Sequence, residues 1–389
     1  MKNERNWPLV SVIVPVYGTE QYVEQCLDSI LNQTYQNVEV LVVDDASPDH
    51  AGEILLEYAA IDSRVRVIHN AENLGLFRAR LAGAKQAQGA YLTFVDSDDY
   101  LGIDYIRMLV VQAVQEQADI VKGQFVMDDL VCGEKYTYTY INNRPRLTLC
   151  ADQIAVHYFE QEGMDFSWHV VWGKLYRAAL WKQCEPYYEK MNRHLIMTED
   201  IAYTAPLFLF AKKYTETDAD TYFYVQRSDA STGIEKNMKK YEKNISDLKT
   251  AFEFRENFLK ETGNLKKFEI QNLAWKERYG RSWKNSIQSA GFSFSQRRHL
   301  EHLVKEALHL ECLELPVRED HYFYSQRNEW SPREEEVKKI IADPQITCVS
   351  FDIFDTLLLR PFFEPSDLFR ILEFRYKKLD AQSMLDFSK

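Results

Sequence analysis

Short apolar runs alternate with helix-spaced apolar stripes through the first hundred residues. Leu9-Val10-Ser11-Val12-Ile13-Val14-Pro15 is rich in β-branched side chains and ends at a turn, which predicts a buried strand. From Tyr22 to Gln33, the residues Val23, Cys26, Leu27, Ile30 and Leu31 recur at helical spacing. Val38 to Val43 predicts a second strand that ends at Asp44-Asp45, and Ser47-Pro48-Asp49 opens a capped helix. Val65 to Ile68 predicts a third strand, Leu76 to Gln88 a helix, and Tyr91 to Val95 a fourth strand. Strands that alternate with helices imply an α/β fold, a mostly parallel twisted sheet with helices on both faces. In open sheets of this kind ligands bind beyond the carboxyl ends of the strands. Asp44-Asp45 and Asp96-Ser97-Asp98-Asp99 both fall at such ends.

The pattern weakens between residues 120 and 230. Asp119 to Gly123 predicts a strand, Tyr136 to Ile141 alternates like an edge strand, and Tyr222 to Arg227 predicts another strand. From Glu235 to about Leu315 the spacing turns helical, with Tyr241, Ile245, Leu248, Phe252 and Leu259 on one stripe. Leu300, Leu303, Val304, Ala307 and Leu308 form another stripe. Ser331-Pro332 and Asp343-Pro344 flank a short charged helix and mark a boundary. The expected organisation is an α/β domain over 1–232, a helical extension over 233–343 and a third segment over 344–389.

Composition narrows the classes. The length of 389 residues suits two or three domains. A net charge of −12 argues against a general nucleic-acid binder. No run approaches the roughly 18 apolar residues of a membrane span, and Met1 to Pro8 lacks an apolar signal core. Cys26, Cys132, Cys150, Cys184, Cys312 and Cys348 are scattered, with no C-x-x-C pair, which fits reduced thiols in the cytoplasm better than disulfides or zinc. Residues 236–284 hold 13 Lys and Arg against 7 Asp and Glu. This surplus is either solvated helix surface or a positive face for an anionic acceptor or a peripheral membrane contact.

The acids of residues 96–99 carry the chemistry. Carboxylates crowded at a strand end repel one another unless a cation joins them, and oxygen-rich sites suit Mg²⁺ or Mn²⁺. An isolated D-x-D is more often a solvated turn, but this one stands in a series. VSVIVPVYG, YVEQCLDSILNQTYQNVEVLVVDDASPD, NLGLFRAR and YLTFVDSDDYL follow in order between residue 9 and about residue 130. Together they resemble the nucleotide-binding half of family 2 glycosyltransferases of the capsule and surface-glycan type, which have the GT-A fold.

The resemblance implies roles. Pro15 and Tyr17 would flank the base of a nucleotide-sugar, and Asp45 would accept a hydrogen bond from it, while Asp44 orders the loop. Asp96 would contact the ribose, and Asp98 would ligate the Mn²⁺ or Mg²⁺ that bridges the diphosphate; Asp99 is left open. Asn73, Gly75, Arg78 and Arg80 border the donor, with Arg80 preferred as a charge-assisted partner for phosphate or a nearby acid. Arg78 is equally well a solvated helix residue.

Downstream, Met197-Thr198-Glu199-Asp200-Ile201-Ala202 resembles the family's Glu-Asp motif, which makes Asp200 the catalytic base. Glu199 would orient it, or serve as a first-turn acid favoured by the helix dipole. Lys174, in VVWGKLYR, would hold donor or acceptor, or be a surface lysine. Arg227, with Ser231 and Thr232, matches a region where basic and hydroxyl groups close over the diphosphate. Trp168, His169 and Trp172 suit either an acceptor platform or core packing.

The implied activity is metal-dependent, inverting transfer from a nucleotide-diphosphate sugar, a UDP-sugar by preference. The acceptor would be a hydroxyl of a glycan, a glycoprotein or a lipid-linked sugar. The implied place is the cytoplasm or the inner face of the membrane. The rival is a catalytically silent GT-A-like module that binds sugar nucleotide or a partner transferase. A separate stretch, Thr347 to Leu358, resembles the first strand and nucleophile loop of haloacid-dehalogenase-like domains, with Asp352 and Thr356 at the matching positions. Phe354 stands where phosphatases of that type carry an acid. The segment therefore reads as the opening of a domain cut short, without activity of its own.

Overall fold

The computed structural model describes residues 7–130, 133–136, 146–161, 165–227 and 236–313. The haloacid-dehalogenase-like stretch, Ser231, Thr232 and, beyond Tyr136, the edge strand expected over Tyr136 to Ile141 lie outside the described residues. The first half runs β1 (Val10–Val16), α1 (Val23–Leu31), β2 (Val38–Asp44), α2 (Ala51–Ile61), β3 (Val65–His69), α3 (Leu76–Lys85), β4 (Tyr91–Phe94), β5 (Tyr100–Leu101) and α4 (Tyr105–Glu116). There follow β6 (Ile120–Asp129), β7 (Glu134–Tyr136), β8 (Thr148–Cys150), α5 (Asp152–Glu160), α6 (Phe166–His169), β9 (Lys174–Arg177), α7 (Ala178–Tyr188), α8 (Glu199–Phe210) and β10 (Lys213–Gln226). The last described elements are α9 (Met238–Glu261), α10 (Glu269–Ser289) and α11 (Phe294–Leu308).

The hydrogen-bonded strand order is β3-β2-β1-β4-β9-β6-β10-β5. The first four strands are mutually parallel, as their alternation with helices implies. β9 then enters antiparallel to both β4 and β6, and β10 lies parallel to β6. The whole is a mixed sheet whose parallel half carries the acid-bearing strand ends. β1 is buried at every position and β2 at all but one, because helices cover both faces. On one face α1 contributes Val23, Cys26, Leu27 and Ile30 to the core. The other face is aromatic: Phe77 of α3 stacks on Tyr203 of α8 at 4.2 Å.

The C-terminal helices join this aromatic core. Phe254 of α9 meets Phe77 edge-on at 6.2 Å, and Phe258 meets Tyr187 at 4.9 Å. The Trp275 indole N–H donates to the Phe159 carbonyl at 3.0 Å. The expected helical stretch breaks at Gly263 and Gly291, whose φ of +73° and +72° suits a residue just past a helix end. Its basic surplus is partly spent inside the fold. Lys276 pairs with Glu256 at 2.7 Å and Lys243 with Asp247 at 2.6 Å, and Arg255 is fully buried. Among the described residues no helix is long and apolar enough to cross a membrane.

Arg255 sits in an aromatic cage, 4.3 Å from the Trp275 ring centre and 5.0 Å from that of Phe159. Its three guanidinium nitrogens make no hydrogen bond among the described residues. Burial lowers its pKa to about 10. A buried charge without hydrogen bonds costs more than its cation–π contacts return. Arg255→Met, of similar reach, is therefore expected to raise the unfolding free energy by up to about 4 kcal/mol. A thermal melt in which this variant unfolds several degrees below the wild type would show the guanidinium to be a net stabiliser.

Candidate active site

The carboxyl ends of β1, β2 and β4 lie side by side at one edge of the sheet. Pro15 is buried within β1 opposite Val43, whereas Tyr17 follows the strand with 47% exposure, so Tyr17 is the one that presents a ring. At the end of β2, the Asp45 carboxylate is only 3% exposed. Its Oδ1 accepts from the Asn70 side chain at 2.7 Å and from the Leu74 N–H at 3.0 Å, and its Oδ2 accepts from the Gly75 N–H at 2.9 Å. In this arrangement Asp45 organises the loop over residues 70–75. Asp44 does similar work, accepting from the Ser47 N–H at 2.9 Å and pairing with His69 at 3.0 Å. Gly75 has φ +86°, and a Cβ there would lie 2.8 Å from the Leu195 nitrogen, so the loop needs glycine to meet the 195 segment.

The acids after β4 point to different partners. Asp99 is 1% exposed and turns inward: the Tyr222 hydroxyl donates to its Oδ2 at 2.6 Å and the Val225 N–H to its Oδ1 at 2.8 Å. Burial first, then the charges of Asp98 and Asp96, raise its pKa well above the usual range. Asp98 keeps 25% side-chain exposure and accepts from Arg227, whose Nη2 lies at 2.9 Å and Nε at 3.1 Å. The Arg227 guanidinium also rests 4.7 Å from the Tyr22 ring centre. Burial and Asp96 raise the Asp98 pKa, against the pull of Arg227.

No group of three or more His, Cys, Asp or Glu among the described residues could hold a metal ion. The acid run is therefore not a preformed cage. Asp98 offers the most exposed carboxylate of the run, 25% against 19% for Asp96, and Mg²⁺ commonly takes one or two carboxylates with substrate phosphates completing its shell. The residues fit an ion that arrives with a diphosphate.

Behind this run lies the densest charge cluster of the site. Arg80, 1% exposed on α3, donates from Nη2 to Asp96 at 2.6 Å and from Nη1 to Glu199 at 2.6 Å. Asp200 stands 3.5 Å from the same Nη1. Of the two partners expected for Arg80, phosphate or a nearby acid, the structure supplies acids. Burial works against the Arg80 cation, but Asp96, Asp200 and Glu199 outweigh it and hold its pKa well above the usual value.

Burial and the neighbouring Asp200 raise the pKa of Glu199, with Arg80 opposing. Asp200 is also raised by burial, while Arg80 and the Val171 N–H, which donates to its Oδ1 at 3.0 Å, pull it back. The Asp200 side chain keeps 19% exposure, whereas Glu199 keeps 6%. Both open α8 directly after Thr198, a non-glycine residue at φ +67°.

Lys174 is not a surface lysine. It is 1% exposed, and its Nζ donates to the Val170 carbonyl at 2.5 Å, bracing the turn that offers the Val171 N–H to Asp200. Burial, then Lys122, lowers its pKa to about 7. Trp168, His169 and Trp172 are 0%, 7% and 3% exposed, so they pack in the core rather than form a platform. Trp172 stacks on Tyr222 at 4.7 Å, and His169 lies 4.6 Å from Trp275. Sequence reading missed the Val171 amide, because no side chain announces it. It also missed Asp247 of α9, which accepts from the N–H groups of Ile196 and Met197 just before Glu199.

The family model described as Glycosyl transferase family 2 matches residues 11–172, the span from β1 to the turn before Lys174. EpsJ of Bacillus subtilis (strain 168), named as a glycosyltransferase, is 34% identical over 227 residues, 58% of this chain and 64% of its own length. The chain thus spans less than two thirds of that relative. EpsH of the same organism, also named as a glycosyltransferase, is 30% identical over 270 residues, 67% of this chain and 72% of EpsH. Among solved structures, S. aureus TarS 1–349 in complex with UDP has 20% identity and a TM-score of 0.47, with 85% of this chain and 78% of TarS covered. Matched over residues 11–172 by the family model and along most of EpsH, the chain belongs to glycosyl transferase family 2.

Proposed function

We propose that the protein transfers a sugar from a nucleotide-diphosphate sugar to a hydroxyl group, with inversion at the anomeric carbon. UDP-sugars are the proposed donors, and the acceptor is a glycan, a glycoprotein or a lipid-linked sugar. The observation that carries this reading is the meeting of Asp96, Glu199 and Asp200 on one buried guanidinium, that of Arg80. An acid from the donor-side strand ends is thereby tied to the acid pair that opens α8. A silent binding module has no use for a second, partly exposed carboxylate held there.

In the proposed reaction Asp200 takes the proton of the acceptor hydroxyl as that oxygen attacks. Such a base is commonly worth about 10²–10⁴-fold. Burial disfavours the ionised form of Asp200, and Arg80 and the Val171 N–H oppose that by favouring it. Tyr17 offers its exposed ring to the nucleotide base, and Asp96, with 19% exposure, faces the donor side. Asp45 reaches the base only by sharing the carboxylate that already holds residues 70–75. A Mg²⁺ or Mn²⁺ ion held by Asp98 and the donor's phosphates would offset negative charge on the departing diphosphate. Arg227 adds positive charge at the same place.

The cytoplasm is the proposed compartment, consistent with free thiols at Cys26, Cys150 and Cys184. Contact of region 236–284 with a membrane has less support, since Arg255 is buried and Lys243 and Lys276 are paired with acids.

The test is release of nucleoside diphosphate from a panel of nucleotide sugars, with Mn²⁺, Mg²⁺ or chelator. Metal-dependent release from one donor is expected, falling about 10²-fold in Asp98→Asn through loss of charge stabilisation at the leaving group. Release indifferent to both metal and Asp98 would remove the ion from the reaction. No release from any donor, with no shift in melting temperature on adding them, would put the silent-module reading first.

A further inference from the structure

We propose that Asp247, on α9, is a positioning residue for the Glu199–Asp200 pair. A helix outside the donor-binding sheet would then set the geometry of the base. The inference rests on the reading of Asp200 as that base.

Asp247 is 5% exposed. Its Oδ2 accepts from the Ile196 N–H at 3.2 Å and the Met197 N–H at 3.1 Å, and the Lys243 ammonium donates to the same oxygen at 2.6 Å. Backbone donors at such a place need partners, because a buried amide without one is costly. The two amides lie immediately before Thr198, whose φ of +67° is uncommon for a β-branched residue and persists only where the surroundings enforce it. Thr198 in turn occupies the N-cap position, without a side-chain capping bond, of the helix that begins with Glu199 and Asp200.

On its other side the same segment is held by α3. The Leu195 carbonyl accepts from the Phe77 N–H at 3.1 Å, and Gly75 leaves room for the Leu195 backbone. His194 adds a contact to Asn73 at 2.8 Å. Residues 194–197 are therefore clamped between the loop that Asp45 organises and the carboxylate of Asp247. The first clamp belongs to the donor-side sheet. The second is supplied by α9, and among the described residues it is the side-chain acceptor for both amides. Removing it frees the turn that aims Asp200 while leaving the donor crevice built as before.

The test compares wild type, Asp247→Ala, Asp247→Asn and Asp200→Asn. UDP-glucose, UDP-galactose, UDP-N-acetylglucosamine and GDP-mannose serve as donors, and UDP as a binding probe. Asp247→Ala is expected to lower kcat for donor hydrolysis by about 10–100-fold, since a base displaced by about 1 Å loses that much, with donor KM and UDP affinity within about twofold. Asp247→Asn keeps an acceptor oxygen and is expected to recover most of the loss. If Asp247→Ala fails to fold, Asp247→Ser reads the same split.

A lower melting temperature with unchanged kcat in the folded protein would make Asp247 merely structural and overturn the inference. Parallel loss of UDP binding would overturn it too, because α9 would then support the whole crevice. If Asp200→Asn keeps its kcat, the base assignment fails, whatever Asp247 does. If Asp200→Asn loses activity and Asp247→Ala does not, this inference alone fails. Absence of release from every donor in the wild type, with no shift in its melting temperature on adding them, would remove the transferase reading and this one with it.

Discussion

Asp200→Asn should abolish transfer while leaving donor binding intact. The amide has the shape of the carboxylate and can still accept the Val171 N–H through its oxygen, so the turn before α8 keeps its partner. It cannot take a proton, and the expected loss is about 10²–10⁴-fold in kcat. The pH dependence sharpens the test. Burial raises the pKa of Asp200, so the wild type should lose activity as pH falls through a value above the ordinary carboxylate range. The residual activity of Asp200→Asn should lack that acid limb. Kinetics across pH, with calorimetric titration of UDP, separate the base from a binding role. Transfer that survives the substitution would remove Asp200 from the reaction.

Arg80→Met should be the most destabilising single change in the crevice. At 1% exposure the guanidinium is the shared cationic partner of Asp96, Glu199 and Asp200. Removing one partner of a buried charge network commonly costs about 3–5 kcal/mol, because the charges left behind are uncompensated. The cost depends on pH, with a definite sign. Glu199 and Asp200 already have raised pKa values in the folded state, and losing Arg80 raises them further. An acid raised by folding binds its proton more tightly in the native state. Its penalty is therefore absent below the unfolded carboxylate pKa of about 4 and grows until pH exceeds the folded value.

The melting temperature of Arg80→Met should accordingly lie nearest the wild type in acid and fall away toward neutral pH. The same shift would favour the protonated form of Asp200 to higher pH than in the wild type, so any remaining activity should rise with pH. Thermal melts of both proteins from acid to neutral pH decide the matter. A deficit equal at every pH would mean that Arg80 acts through packing rather than charge. Arg80→Lys should not restore the wild type, because a point charge cannot make two directed contacts to acids on different elements.

The parallel half of the fold was legible in the sequence. β1 and β2 are covered on both faces, and that burial appears as predominantly aliphatic runs, broken by Ser11 in β1 and Glu39 in β2. Helical spacing marked α1, whose Val23, Cys26, Leu27 and Ile30 are all buried. The second half was harder for a physical reason. β9 lies between β4 and β6, which stand far from it along the chain, and it runs antiparallel to both. A four-residue strand that begins with Lys174 and ends with Arg177 carries no sign of its direction or its neighbours. β10 is longer than its recognisable end, because its pairing with β6 shifts between Glu216 and Thr221 and breaks the alternation.

Within the candidate site the division is similar. The placement of Asp44-Asp45 and Asp96 to Asp99 at strand ends follows from local pattern, since a buried strand must stop where charge begins. Which acid does what does not follow. Asp98 and Asp99 are adjacent and chemically alike, yet Tyr222, 123 residues on, takes Asp99 inward, while Arg227, 129 residues from Asp98, meets that acid near the surface. Arg80 finds Glu199 across 119 residues, and Lys174 turns into the core to brace backbone carbonyls instead of facing solvent.

The sequence alone determined the periodicities, the strand ends and the residue types available there, because these depend on burial and on neighbours along the chain. Only the tertiary structure decided the partners. A carboxylate's role depends on which cation, amide or hydroxyl reaches it within about 3 Å, and that is settled by segments that meet in space and not by their order.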